Sequence, residues 1–240
     1  MNSLLLIDRG SREKEVRDEL EDLCSLIKSI SSYDIVRYCF LEVVPPYIKE
    51  GIESCSSNIT IVPYFLYPGM KLKLAILNSK EIAEAKNLNY KIADCLHYHP
   101  NLAKIVMKRI EESKAKNGIM LDNKECDLLL IGHGSSDVDA RLAFEEIYDG
   151  VRDNFRNAEY AFLELDKPDI KDGINRLLKD NPKTLIIMPY FLHRGAHVKH
   201  DIHEDINAAI KDANAKIIIT EHLGVSREMA EIVLDKAREA

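Results

Sequence analysis

The chain has 240 residues, 46% of them hydrophobic, with 33 basic and 40 acidic side chains; this suits one large globular domain or two small ones and excludes a disordered segment. The net charge of −7 falls wholly in residues 126–240, where 15 basic side chains face 22 acidic ones, against 18 of each in residues 1–125. No basic stripe is present, so nucleic acid is not an expected partner, and five cysteines without a CxxC pair argue against a disulfide framework or a thiolate zinc site.

The chain opens MNSLLLIDRGS. The apolar run Leu4–Ile7 is too short for a signal-peptide core or a membrane span, and it reads as a buried first strand of a cytoplasmic protein with no membrane partner. Val16, Leu20, Leu23 and Ile27 follow at helical spacing. A polar joint near residues 113–125 precedes a second apolar strand, Asp127–Ile131. Phe144, Ile147, Val151 and Phe155 then mark a helix, Tyr160–Leu163 a short strand, and Ile170, Ile174 and Leu177 another helix. Thr184–Leu192 is the most apolar strand of this half. Ile202, Ile206 and Ile210 mark a further helix, Lys216–Thr220 a strand, and Met229, Ile232 and Val233 a closing helix. Strands alternating with amphipathic helices predict α/β architecture with parallel sheets covered on both faces.

The chain is also one unit written twice. LLLIDRGSR at 4–12 matches LLLIGHGSS at 128–136, YCFLEVVPP at 38–46 matches YAFLELDKP at 160–168, and IVPYFLYPGMKLK at 61–73 matches IMPYFLHRGAHVK at 187–199. The order is kept and the spacing nearly so, as a duplicated domain requires. The expected lobes are 1–120 and 126–240.

Ligands of open parallel sheets bind beyond the carboxyl ends of the strands. His133 follows the first strand of the second half, Glu164 closes the second strand, and His193–His197 follows the third. Two histidines and a carboxylate suit a first-row divalent metal and leave coordination positions open for a substrate. Each residue also has a plainer reading. His133 suits a turn before a helix, and Glu164 a surface carboxylate. His200 and His203 fall on a predicted helix and face water. His97, His99 and His222 read as structural or solvated, and each cysteine as a small buried hydrophobe. At the positions of His133 and His197 the first half has Arg9 and Lys71, and only Glu42 is kept opposite Glu164. Arginine cannot ligate a metal, and lysine does so only after losing a proton. The first half should therefore lack this metal site. Arg9 and Lys71 either bind substrate carboxylates or have drifted, with Arg9 paired to Glu42.

The HGS turn after a buried strand, the FLE strand end, and PYFL followed by G-x-H-V together resemble the sirohydrochlorin chelatase family, in its tandem two-domain form. The resemblance covers nearly the whole chain. It implies a chelatase-like fold of two similar lobes, each with a parallel four-stranded sheet flanked by helices, facing across a cleft that a monomer can complete; a weak dimer is compatible. It implies metal-binding histidines at His133 and His197, with His133 as the base, and a catalytic carboxylate facing the macrocycle at Glu164. It implies a substrate-lining loop of Leu192, His193, Arg194, Gly195, Ala196 and His197. The expected reaction is insertion of Co²⁺ into a sirohydrochlorin-type tetrapyrrole, with Fe²⁺ or Ni²⁺ as alternatives. The metal is then a substrate, and no prosthetic group is expected. A reading of another class is a non-catalytic metal or tetrapyrrole carrier. Neither a P-loop nor a dinucleotide fingerprint occurs.

Overall fold

The apolar runs become strands, and the helical spacings become helices packed on them. The structure is a computed structural model that describes residues 1–193, 206–207, 209–210 and 214–240. In chain order the elements are β1 (Asn2–Asp8), α1 (Lys14–Ile30), β2 (Ile35–Phe40), α2 (Ile48–Glu53), β3 (Asn58–Pro63), α3 (Met70–Ala85), β4 (Asn89–Ile92) and α4 (Asn101–Lys116). The described elements of the second half are β5 (Asp127–Gly132), α5 (Val138–Arg152), β6 (Asn157–Phe162), α6 (Ile170–Leu178), β7 (Thr184–Pro189), β8 (Lys216–Ile219) and α7 (Arg227–Glu239).

The strands form two separate four-stranded sheets, ordered β2-β1-β3-β4 and β6-β5-β7-β8. Every pairing is parallel, with Leu6 beside both Tyr38 and Val62, and Leu130 beside both Tyr160 and Met188. Leu4–Ile7 and Leu128–Ile131 are fully buried, as central strands covered on both faces must be. The helix face expected from spacing is the one that packs: Val16, Leu20, Leu23 and Ile27 of α1 are all buried. Side chains of Asp137, Asp169 and Ser226 accept the first backbone N–H bonds of α5, α6 and α7 and fix where those helices start.

Several boundaries differ from the sequence reading: the strand expected at Tyr160–Leu163 runs Asn157–Phe162, β5 ends one residue later and β8 one residue earlier than expected, and two further ends have a visible cause. β7 stops at Pro189 instead of Leu192, because the Phe191 amide turns back onto the Pro189 carbonyl at 3.1 Å and leaves the ladder. α5 stops at Arg152 instead of Phe155, where the amides of Asn154 and Phe155 tighten onto carbonyls three residues back. Of the helix expected around residues 202–210, Ile206 is buried and Ile202 lies outside the described residues.

The compact units are not the sequence repeats. Unit 1 is Met1–His99 with Val225–Ala240, and unit 2 is Pro100–Gly224. The lobes expected at 1–120 and 126–240 thus each give their last helix to the other unit. Leu102, Ile105, Val106 and Ile110 of α4 are fully buried in unit 2, and Met229, Ile232 and Val233 of α7 in unit 1. A pattern of spacing shows that a helix has an apolar face, not which sheet will cover it. No helix among the described residues is long and apolar enough to cross a membrane.

Candidate metal site

In unit 2 the chain goes from β5 to β6 on one side of the sheet and then to β7 on the other. The switch point lies between β5 and β7, and ligands of open parallel sheets bind beyond the carboxyl ends of the strands at such a point. His133 is the first residue after β5, and Glu164 lies two residues after β6. Backbone bonds clamp their loops together: the Leu163 amide donates to the Gly132 carbonyl at 2.9 Å, and the Glu164 amide to the His133 carbonyl at 3.0 Å. Gly134 is required at this crossing. Its φ is +91°, and a Cβ there would fall 1.8 Å from the Glu164 carbonyl oxygen. The HGS turn is therefore a close backbone approach that only glycine permits.

After Glu164 the chain makes a three-residue turn, with the Asp166 amide donating to the Glu164 carbonyl at 2.8 Å across Leu165 at φ +61°. Positive φ at an exposed leucine is strained backbone. Arg141 on α5 holds the far side of this turn. It donates from Nη1 to Asp166 Oδ1 at 3.0 Å, from Nε to Glu145 Oε1 at 3.0 Å, and from Nη2 to the Tyr160 hydroxyl at 3.3 Å.

The result is a close imidazole–carboxylate pair, with His133 Nε2 3.2 Å from Glu164 Oε1. His133 Nδ1 lies 3.2 Å from the Gly134 carbonyl, and Phe191 sets its edge against the ring at 6.5 Å between centroids. When Nδ1 carries the proton and donates to Gly134, Nε2 presents a lone pair toward Glu164. Two acceptors at that distance call for a cation between them, either a proton or a metal. A first-row ion holds such donors at roughly 2.0–2.2 Å each, which places them about 3–3.5 Å apart. Both side chains are partly exposed, so the pair is open to a ligand.

Unit 1 repeats the backbone with other chemistry. The Leu41 amide donates to Asp8 and the Glu42 amide to Arg9, at 2.8 and 3.1 Å. Gly10 has φ +103°, and a Cβ on it would fall 2.2 Å from the Glu42 carbonyl oxygen. Here the carboxylate meets two cations: Arg9 Nε at 3.1 Å and Lys71 Nζ at 2.6 Å, on the two oxygens of Glu42. The Lys71 ammonium, and after it the Arg9 guanidinium, holds the Glu42 carboxyl below the usual carboxylate range. The pairing of Arg9 with Glu42 is thus present, with Lys71 added to it.

Among the other sequence-expected positions, Leu192 and His193 follow β7 and are half-buried, and the Leu192 carbonyl accepts from the Gly224 amide at 3.2 Å. Arg194, Gly195, Ala196, His197, Lys199, His200 and His203 lie outside the described residues. Phe191 and Arg141 escaped the sequence reading. Phe191 lies within the repeated PYFL, whose apolar run reads as strand, and Arg141 has only its place on a helix to mark it.

A family model described as CbiX matches residues 3–113 and again 127–240. Among curated relatives, a sirohydrochlorin cobaltochelatase of Priestia megaterium is 24% identical over 247 residues, covering 100% of this chain and 80% of its own. A sirohydrochlorin ferrochelatase of the same organism is 26% identical over 244 residues, covering 97% of this chain and 88% of its own. Among solved structures, SirB from Bacillus subtilis with Fe³⁺ shares the fold at a TM-score of 0.85 and 23% identity, over 99% of this chain and 94% of that one.

Proposed function

The chain belongs to the CbiX family, and from that premise we propose that it is a sirohydrochlorin metal chelatase whose site lies in unit 2. The observation that carries this reading is the 3.2 Å pairing of His133 Nε2 with Glu164 Oε1 beyond the carboxyl ends of β5 and β6. Insertion needs a base for the inner N–H protons of the macrocycle and donors that hold the incoming ion. A neutral imidazole does either near neutral pH, and the carboxylate beside it compensates the charge that arrives with a metal or a proton.

In this reading His133 binds the ion through Nε2 and then, as the ion passes to the macrocycle, accepts a proton at the same atom. Glu164 faces the macrocycle and stabilises the cation at each stage. His197, outside the described residues, is the second metal-binding histidine, and Leu192 to His197 line the substrate. The first-half repeat of the site does not insert metal, since Arg9 and Lys71 occupy the matching positions and both engage Glu42. Co²⁺ is our first candidate for the ion, because a cobaltochelatase aligns with the whole chain. A ferrochelatase aligns nearly as fully, and imidazole and carboxylate accept Fe²⁺ and Ni²⁺ as well.

The test is anaerobic incubation with sirohydrochlorin and each of Co²⁺, Fe²⁺ and Ni²⁺ in turn, followed by the absorption change of the macrocycle. His133→Ala should lower the insertion rate by ~10²–10⁴-fold, as loss of a general base does, while keeping the parent's thermal midpoint within a few degrees. A folded His133→Ala protein inserting metal at the parent rate would defeat the assignment. Tight Co²⁺ binding without insertion by the parent would make the chain a metal carrier.

A further inference from the structure

Beyond β4 in unit 1 the chain runs Ala93-Asp94-Cys95-Leu96-His97-Tyr98-His99. This turn brings together a thiol, an imidazole and a carboxylate that belong to neither copy of the repeated motifs. Cys95 Sγ lies 2.8 Å from His97 Nδ1, and Asp94 Oδ2 lies 3.7 Å from His97 Nε2. One ligand atom from each residue falls within 4.8 Å of the others, the one such group of three among the described residues.

The loop is held in shape. The Leu96 amide donates to the Phe65 carbonyl at 2.9 Å, and the Cys95 amide to Asp94 Oδ1 at 2.7 Å. Tyr98, at φ +57°, sets its ring edge-on to His97 at 4.5 Å, and His99 Nε2 reaches Asp235 of α7 at 3.3 Å. Burial is graded across the cluster: Cys95 is fully buried, the His97 side chain is 14% exposed and the Asp94 side chain 60%. A ligand therefore has a way in from the carboxylate side and a soft donor at the bottom.

We propose that Asp94, Cys95 and His97 form a second cation site, separate from His133 and Glu164, that binds one borderline divalent ion such as Zn²⁺, Co²⁺ or Ni²⁺. Thiolate with imidazole selects these ions over Mg²⁺ and Ca²⁺, which take oxygen ligands. Cys95 binds through Sγ and His97 through Nδ1, the nitrogen that faces the thiol. Asp94 supplies a carboxylate oxygen, and remaining positions stay open to water. Binding replaces the thiol proton: the S–H bond breaks, a metal–sulfur bond forms, and the proton leaves to solvent. Donors sharing one ion at about 2.0–2.3 Å stand roughly 3.3–3.6 Å apart, so the thiol and ring must part by less than about 1 Å, which a small side-chain rotation supplies.

Burial pushes the Cys95 thiol up to about 12, while the nearby Lys236 ammonium on α7 works the other way. The metal must supply the rest of the drive toward thiolate. Unit 2 has no equivalent. At the matching turn after β8 the Leu223 amide makes the same bond, to Phe191, but the positions of Asp94, Cys95 and His97 are taken by Glu221, His222 and Gly224. No thiol is present there, and the third donor is missing. The proposal does not depend on the chelatase reading, since it concerns binding by other residues in the other unit.

The experiment is a titration of the reduced, full-length protein with Co²⁺, read by the thiolate-to-cobalt charge-transfer band in the near ultraviolet. A saturable band is expected in the parent and, unchanged, in His133→Ala. Cys95→Ser should abolish it, and His97→Ala should weaken it at least ~10-fold, the least that loss of even an outer-shell partner of a metal causes. Circular dichroism and thermal midpoints report folding. Should Cys95→Ser not fold, His97→Ala carries the test with every thiol retained. Absence of the band in the parent at saturating Co²⁺ overturns the site, as does a band undiminished in His97→Ala or one that survives in folded Cys95→Ser. Loss of insertion activity in any variant, with this band intact, bears on the His133 site alone.

Discussion

Glu42 and Glu164 leave their strands by the same backbone path, yet one meets two cations and the other an imidazole. The difference is one of protonation. An imidazole can give up its proton and coordinate, a guanidinium cannot, and an ammonium does so only at high pH. Arg9 and Lys71 therefore neutralise Glu42 permanently, and the trio keeps a net charge of +1. A cation-rich group can still attract the carboxylates of a tetrapyrrole, since a guanidinium has five N–H donors and an ammonium three. Both side chains are also well exposed, at 54% and 42%. Replacing Arg9 and Lys71 by Ala should raise the apparent KM for sirohydrochlorin several-fold and leave Co²⁺ affinity unchanged, in steady-state kinetics at fixed metal. A KM equal to the parent's would leave Glu42 as their sole partner.

Among the elements, α5 does more than cover the sheet. Through Arg141 it grips Asp166, two residues beyond Glu164, and so fixes a turn whose backbone is strained at Leu165. Without that grip the turn can relax toward an ordinary φ and carry the Glu164 carboxylate away from His133. Arg141→Ala should lower kcat by ~10–100-fold, since misplacing a reacting group by about 1 Å can cost 10²-fold. Co²⁺ binding at His133 should weaken less than the rate does. Arg141→Lys should recover little, because an ammonium cannot bridge Asp166, Glu145 and Tyr160 in one plane. Equal kcat in Arg141→Ala and the parent, measured with both substrates saturating, would show that the turn keeps its shape unaided.

For the whole molecule, the exchange of end helices decides which pieces can fold. Residues 126–240 lack α4, whose Leu102, Ile105, Val106 and Ile110 are fully buried in unit 2. Each such side chain contributes about 1.5–3 kcal/mol on burial, against the ~5–15 kcal/mol that stabilises a whole domain. The piece 100–224 should therefore unfold cooperatively in urea and bind Co²⁺ weakly, whereas 126–240 should give no cooperative transition. A cooperative 126–240 of equal midpoint would show that α4 is dispensable. Every residue proposed to hold the metal lies on unit 2 of one chain, so the proposed reading does not require a second copy for insertion. Specific activity should stay constant on dilution through the range where light scattering reports a monomer; a proportional loss would make a dimer necessary.

The sequence alone determined the duplication, the alternation of strands and helices, and the residues at the strand ends. Each of these is a local or repeated pattern: apolar runs for central strands, a 3.6-residue stripe for helices, and three motifs at nearly constant spacing. It also showed which half keeps histidine where the other has Arg9 and Lys71. The tertiary structure alone decided that Glu42 takes both cations, that Gly134 is needed because the Glu164 carbonyl crosses above it, and that Arg141 holds the turn beyond. It also moved α4 and α7 into the opposite units and set Cys95 against His97, residues that read singly as a buried hydrophobe and a structural or solvated ring. Periodicity records which face of an element is apolar. The partner that covers that face, and the side chains that meet beyond a strand end, are set only when distant segments pack.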